Sequence, residues 1–145
     1  MEQRISLITL GARDMDRLAG FYEALGWTRT PSPDGVIAFD LLGQTLALFP
    51  LDKLAEDIGL PVEDLGHGAA TMAHNLSGKE AVADLLTRAE KADATILKPA
   101  QDAFWGGYHG YFADPEGHVW EIAFNPLSPL RDDGAFRWNG YGEAT

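Results

Sequence analysis

The chain of 145 residues contains no cysteine, which excludes disulfide bonds, thiolate nucleophiles and thiolate metal sites. Basic residues are scarce: 11 Lys and Arg stand against 22 Asp and Glu, a formal charge of −11. Such a surface repels phosphate backbones and anionic headgroups, which argues against nucleic acid or a membrane surface as partner. No window is apolar for long enough to span a bilayer. The opening MEQRISLITL lacks the basic segment and long apolar run of an export signal, so the expected location is the cytoplasm. What is present is a globular composition, 46% apolar and 10% aromatic, and at this length one domain whose core needs no covalent staple.

The hydrophobic pattern runs through the same order twice. Ile5 to Leu10 reads as a strand, and Asp14 caps a helix with Leu18, Phe21, Tyr22 and Leu25 on one stripe, ended by Gly26. Short strands are expected at Trp27 to Arg29, Val36 to Leu41 and Thr45 to Phe49, then a surface helix from Leu51 to Gly59. In the second half, Ala69 to Leu76 reads as a strand and Ser77 with Glu80 has capping-box spacing. The helix it opens carries Val82, Leu85, Leu86 and Ala89 to about Ala92, and Thr95 to Lys98 is a strand stopped by Pro99. The expectation is α+β: tandem βαβββ modules, repeat one about 4–60, repeat two about 66–126, and a tail over 127–145. A generic α+β sandwich without duplication is the plainer alternative.

The most informative stretch is GYHGYFADPEGHVWEIAFNP, Gly107 to Pro126. Asp114-Pro115-Glu116-Gly117 has turn chemistry between two aromatic and β-branched runs, so it reads as a β-hairpin. Its second arm carries one acid, Glu121, in an otherwise apolar strand, where a lone carboxylate costs free energy unless something pairs with it.

This stretch resembles the closing motif of the vicinal oxygen chelate superfamily, which includes glyoxalase I, extradiol dioxygenases and bleomycin-resistance proteins. The resemblance rests on Asp114, Pro115, Gly117 and Glu121 and, through the repeated unit, extends over roughly Ile5 to Pro126. It implies curved sheets around a cavity with helices outside, and modules that pair within or across chains, hence a homodimer. It also implies four inward positions, usually two histidines and two glutamates, that hold a metal in metal-using members. Here those positions fall on Leu7, Ala47, Ala70 and Glu121, and a shift by one residue still brings no imidazole or second carboxylate. No metal and no other cofactor is therefore expected.

Two functions follow as expectations. One is a resistance-like protein that binds a small planar or partly apolar molecule, with Leu7, Ala47, Ala70 and Met72 as cavity floor. His74 would be a polar group within, and Trp105 and Tyr108, with Phe104, would lie near the rim. The acid-rich composition adds a weak preference for a cationic ligand. The other is a glyoxalase-like lyase or isomerase in which Glu121 is a general base. A non-catalytic interaction module is a third possibility. Among the other histidines, alternation puts His118 on the face opposite Glu121, the face of His109 is left open, and His67 falls in a glycine-flanked loop.

Overall fold

The computed structural model describes residues 1, 3, 5–66 and 70–141 and divides the chain into two compact units, Met1–Gly68 and Ala69–Thr145. His67 and Ala69 lie outside the described residues. The architecture is mixed α+β, with one mixed sheet in each unit. Among the described residues no helix is long and apolar enough to cross a membrane.

The first unit holds β1 (Leu7–Ala12), α1 (Met15–Ala24), β2 (Ile37–Asp40), β3 (Thr45–Pro50) and α2 (Leu51–Ile58). The Asp14 carboxylate accepts the Arg17 N–H at 2.9 Å, which fixes where α1 starts. The helix buries Leu18, Ala19, Phe21 and Tyr22. The strands run in the order β1-β3-β2, with β1 parallel and β2 antiparallel to β3. Leu46, Leu48 and Phe39 are buried on the side of the sheet that meets α1, where Phe39 packs edge-on against Tyr22. Alternation puts Leu7, Thr9, Ala38 and Ala47 on the other side. Gly59, in the left-handed region at φ 82°, ends α2 as expected.

The strand expected at Trp27 to Arg29 does not form. Trp27 stacks on Tyr22 with ring centroids 4.9 Å apart, and only Thr30 pairs with β2, through Ala38. The aromatic residue that suited a strand locally gains more from stacking against the helix.

The second unit is a complete βαβββ module: β4 (Met72–Asn75), α3 (Lys79–Lys91), β5 (Thr95–Asp102), β6 (Tyr108–Ala113) and β7 (Val119–Phe124), with strand order β4-β7-β6-β5. Strand β4 is parallel to β7 and the remaining pairs are antiparallel. Helix α3 buries Val82, Leu86 and Ala89. The expected capping box is absent, because the N-cap is Gly78 and not Ser77. Glu80 is then the second helical residue, one short of the position from which a box closes. Strand β5 also runs on through Pro99. It is the edge strand, and its pairing with β6 is irregular between Ile96 and Gln101, so a residue without an N–H is tolerated.

Beyond β7 the chain folds on itself. The buried Ser128 hydroxyl accepts from Asn125 Nδ2 and from the Asn139 N–H, both at 3.2 Å, and the guanidinium groups of Arg131 and Arg137 lie 4.9 and 5.2 Å from the centre of the Tyr141 ring.

The packing of α3 on its sheet depends on Gly110. A Cβ there would lie 2.5 Å from Leu86 Cδ1 and 2.8 Å from the Lys98 carbonyl oxygen, the latter a backbone atom of the neighbouring strand. Gly110→Ala is expected to lower stability by about 1–3 kcal/mol, read as a fall in the urea midpoint at unchanged m-value.

Candidate functional site

The site begins with the turn that joins β6 to β7. The Gly117 N–H donates to the Asp114 carbonyl and the Asp114 N–H to the His118 carbonyl, both at 2.9 Å, and Gly117 takes φ 93°. The Asp114 side chain is fully buried. Its Oδ1 accepts the N–H groups of Glu116 (3.0 Å) and His118 (2.9 Å), and its Oδ2 lies 2.8 Å from His118 Nδ1. This acid and this histidine build the turn, in keeping with the alternation that sets His118 away from Glu121.

The turn fixes the register, pairing Ala113 with Val119, Tyr111 with Glu121 and His109 with Ala123. Gly110 faces α3, so its partner Ile122 does too, and the alternate residues His109, Tyr111 and Glu121 occupy the opposite face. There, His109 Nδ1 lies 2.7 Å from Glu121 Oε1. The Tyr111 phenol is pushed above its ordinary pKa, first by burial and then by the charge of Glu121 and a hydrogen bond to it. Glu121 is therefore not the lone acid that the sequence suggested.

The loop before β6 adds the last member. The Ala103 N–H donates to the Gly107 carbonyl (2.9 Å), the Gly106 N–H donates to the Ala103 carbonyl (3.0 Å), and Gly106 adopts φ 93°. A Cβ on Gly107 would run into the Trp105 indole and the Phe124 carbonyl, so glycine is required for the indole to fold back. Trp105 then packs edge-on against the His109 ring at 5.6 Å, while Phe104 projects fully into solvent. The Tyr111 ring also meets the His109 ring edge-on, with centroids 5.4 Å apart.

A model of the Glyoxalase/Bleomycin resistance protein/Dioxygenase superfamily matches residues 4–122. The chain belongs to this superfamily. It is 37% identical to a glyoxalase-related enzyme from Fulvimarina pelagi, with a TM-score of 0.85 over 94% of this chain and 98% of that one. A glyoxalase/bleomycin resistance protein/dioxygenase from Nocardioides is 25% identical, with a TM-score of 0.70 over 86% and 84% of the two chains. An uncharacterized protein of Mycobacterium bovis is 27% identical over 115 residues, 77% of this chain and 71% of its own.

The register corrects one of the positions that the superfamily resemblance assigns. Thr9 pairs with Ala47 and Ala73 with Glu121, so the counterpart of Leu7, two residues before Thr9, is Thr71 and not Ala70. Ala70 is exposed and precedes β4. The four superfamily positions are then Leu7, Ala47, Thr71 and Glu121, and the Oε1 of the last is engaged by His109. Among the described residues no group of three His, Asp or Glu is placed to hold a metal ion. Leu7, Ala47 and Thr71 carry no imidazole, carboxylate or thiolate, the usual ligands of a divalent transition metal.

The remaining expected residues separate. Met72 and His74 pair with Trp120 and Ile122, and Tyr108 with Phe124, which puts all three on the α3 side of the sheet, away from Glu121. Tyr108 lies under the Lys79 ammonium, itself 2.6 Å from Asp102. His74 is held below the ordinary imidazole pKa by desolvation. Trp105 and Glu121 thus lie on one face, joined by His109, whose face the sequence left open, and by Tyr111, which sequence reasoning did not single out.

Two outcomes follow. Asp114→Ala leaves two backbone donors and an imidazole without their acceptor, and is expected to cost about 2–3 kcal/mol by urea denaturation. A raised phenol pKa favours the neutral form of Tyr111 in the fold. Its contribution to stability is complete below the ordinary tyrosine range and is lost as pH rises through the folded-state value. Ultraviolet titration should show one late-ionising tyrosine that is missing in Tyr111→Phe.

Proposed function

We propose that this chain binds a small molecule with a planar, partly apolar body against the Glu121 face of the second unit's sheet, and that it does so without a metal ion. The observation that carries the reading is the contact of 2.7 Å between His109 Nδ1 and Glu121 Oε1. It satisfies the one acid retained at the superfamily positions with a donor from the protein itself. Around that polar pair lie the rings of Trp105 and Tyr111, which supply flat apolar surface for a conjugated ligand. Binding of this kind is sequestration, as in the resistance proteins that the superfamily includes.

The second reading is a glyoxalase-like lyase or isomerase. The same imidazole–carboxylate contact favours it, because such a pair is suited to relaying a proton. Likeness to a glyoxalase-related enzyme supports it as well.

Thermal-shift measurements on the purified chain with a panel of planar aromatic compounds test the first reading. A ligand-dependent rise in Tm is expected, unchanged by a chelator. A rise that appears only after zinc, nickel, manganese or iron is added, or stoichiometric metal in the purified protein, would overturn it. Glu121→Gln separates the two readings, since a proton-transferring enzyme loses turnover while a sequestering protein keeps its ligand.

A further inference from the structure

We propose that His109, held by Glu121 in the tautomer with its proton on Nδ1, presents Nε2 as the hydrogen-bond acceptor of the site. The molecule it takes then carries an O–H or N–H donor on its planar part, as a phenol, an enol or an imide does. This deepens the reading above and rests on it for the existence of a ligand.

For the neutral ring, the chemistry of the contact fixes the tautomer. An ionised carboxylate only accepts, so the nitrogen 2.7 Å from Glu121 Oε1 is the one that carries hydrogen. A neutral imidazole has one donor and one acceptor, and Nε2 is left as the acceptor. His109 is only 8% exposed, and among the described residues Nε2 has no hydrogen-bond partner. Yet no side-chain nitrogen or oxygen among them is both sealed from solvent and unpartnered. Nε2 is therefore the small part of a buried ring that remains open.

The direction of that opening is set as well. Trp105 and Tyr111 each pack against the ring, at interplanar angles of 90° and 67°, so turning the imidazole breaks both contacts and its bond to Glu121. The carboxylate next to it disfavours an anionic ligand and leaves a neutral or cationic donor as the matching chemistry. An acceptor with fixed aim, close to an indole, selects a flat molecule that brings its own hydrogen.

The tautomer is read without any ligand, by nitrogen NMR of the whole chain labelled with 15N at histidine. At neutral pH, His109 is expected to show a protonated Nδ1 and a bare Nε2, and Glu121→Ala should release it to the other tautomer. A proton on Nε2 in the unmodified protein, or no change in Glu121→Ala, overturns the assignment. The ligand class is read at neutral pH with 4-methylphenol, which stays un-ionised there, and its methyl ether 4-methylanisole, which lacks the donor. The phenol is expected to bind about tenfold more tightly, and His109→Leu should abolish that preference. Equal affinities in the unmodified chain, or a preference that survives His109→Leu, overturn the class. Should His109→Leu fail to fold, the two probes on the unmodified chain still decide. If the tautomer is as stated and neither probe binds, the planar-ligand reading fails and the geometry of the imidazole stands.

Discussion

The buried carboxylate of Asp114 accepts two N–H groups of its own turn and bonds His118, and with Gly117 in the left-handed region it sets β6 against β7. Everything proposed for this chain depends on that register. A slip of one residue would turn Glu121 toward α3, among Val82, Leu86 and Ala89, where a carboxylate finds hydrocarbon. In the register the turn imposes, Glu121 is opposite Tyr111 and diagonal to His109. The fold-defining part of the motif and its chemical part are thus one device: the first aspartate is spent on geometry so that the later glutamate arrives at the right face.

The two units share a scaffold and differ in what they put on it. Both have a first strand parallel to the last, and in both a helix covers one face of the sheet. In the first unit the partner of Thr9 is Ala47, and across from Ala47 stands Ala38. In the second the same relations join Ala73 to Glu121 and Glu121 to Tyr111. The titratable side chains stand in one unit, and the other has small side chains at the same places. An alanine on a sheet face asks for no hydrogen-bond partner, so the first unit holds its form without the polar pairing that the second requires.

Much of the architecture was legible in the residues. The stripe of Leu18, Phe21 and Tyr22, the cap at Asp14 and the stop at Gly59 are local signals that tertiary contacts do not overrule. Two misreadings arose where packing or position in the sheet outweighed a local preference: Trp27 stacked on Tyr22 in place of pairing in a strand, and Pro99 was carried inside β5 because that strand is at an edge. The superfamily resemblance singled out Glu121, but the residues that pair with it could not be reached by pattern alone. The faces of His109 and Tyr111 follow only once the turn is known to close between Asp114 and His118, after which each pair across the hairpin is fixed by counting. Met72 and His74 were grouped with Glu121 by counting along the strand from Ala70, and the shift of that position to Thr71 moves both to the other side, where Tyr108 also lies.

A carboxylate brought onto a sheet face must be met by a metal ion, by water or by donors of the protein. Here the imidazole has taken Oε1 of Glu121. Removing either partner would leave the other largely buried and unpaired, a loss of about 1–3 kcal/mol, so the carboxylate and the imidazole hold each other in place on the sheet face.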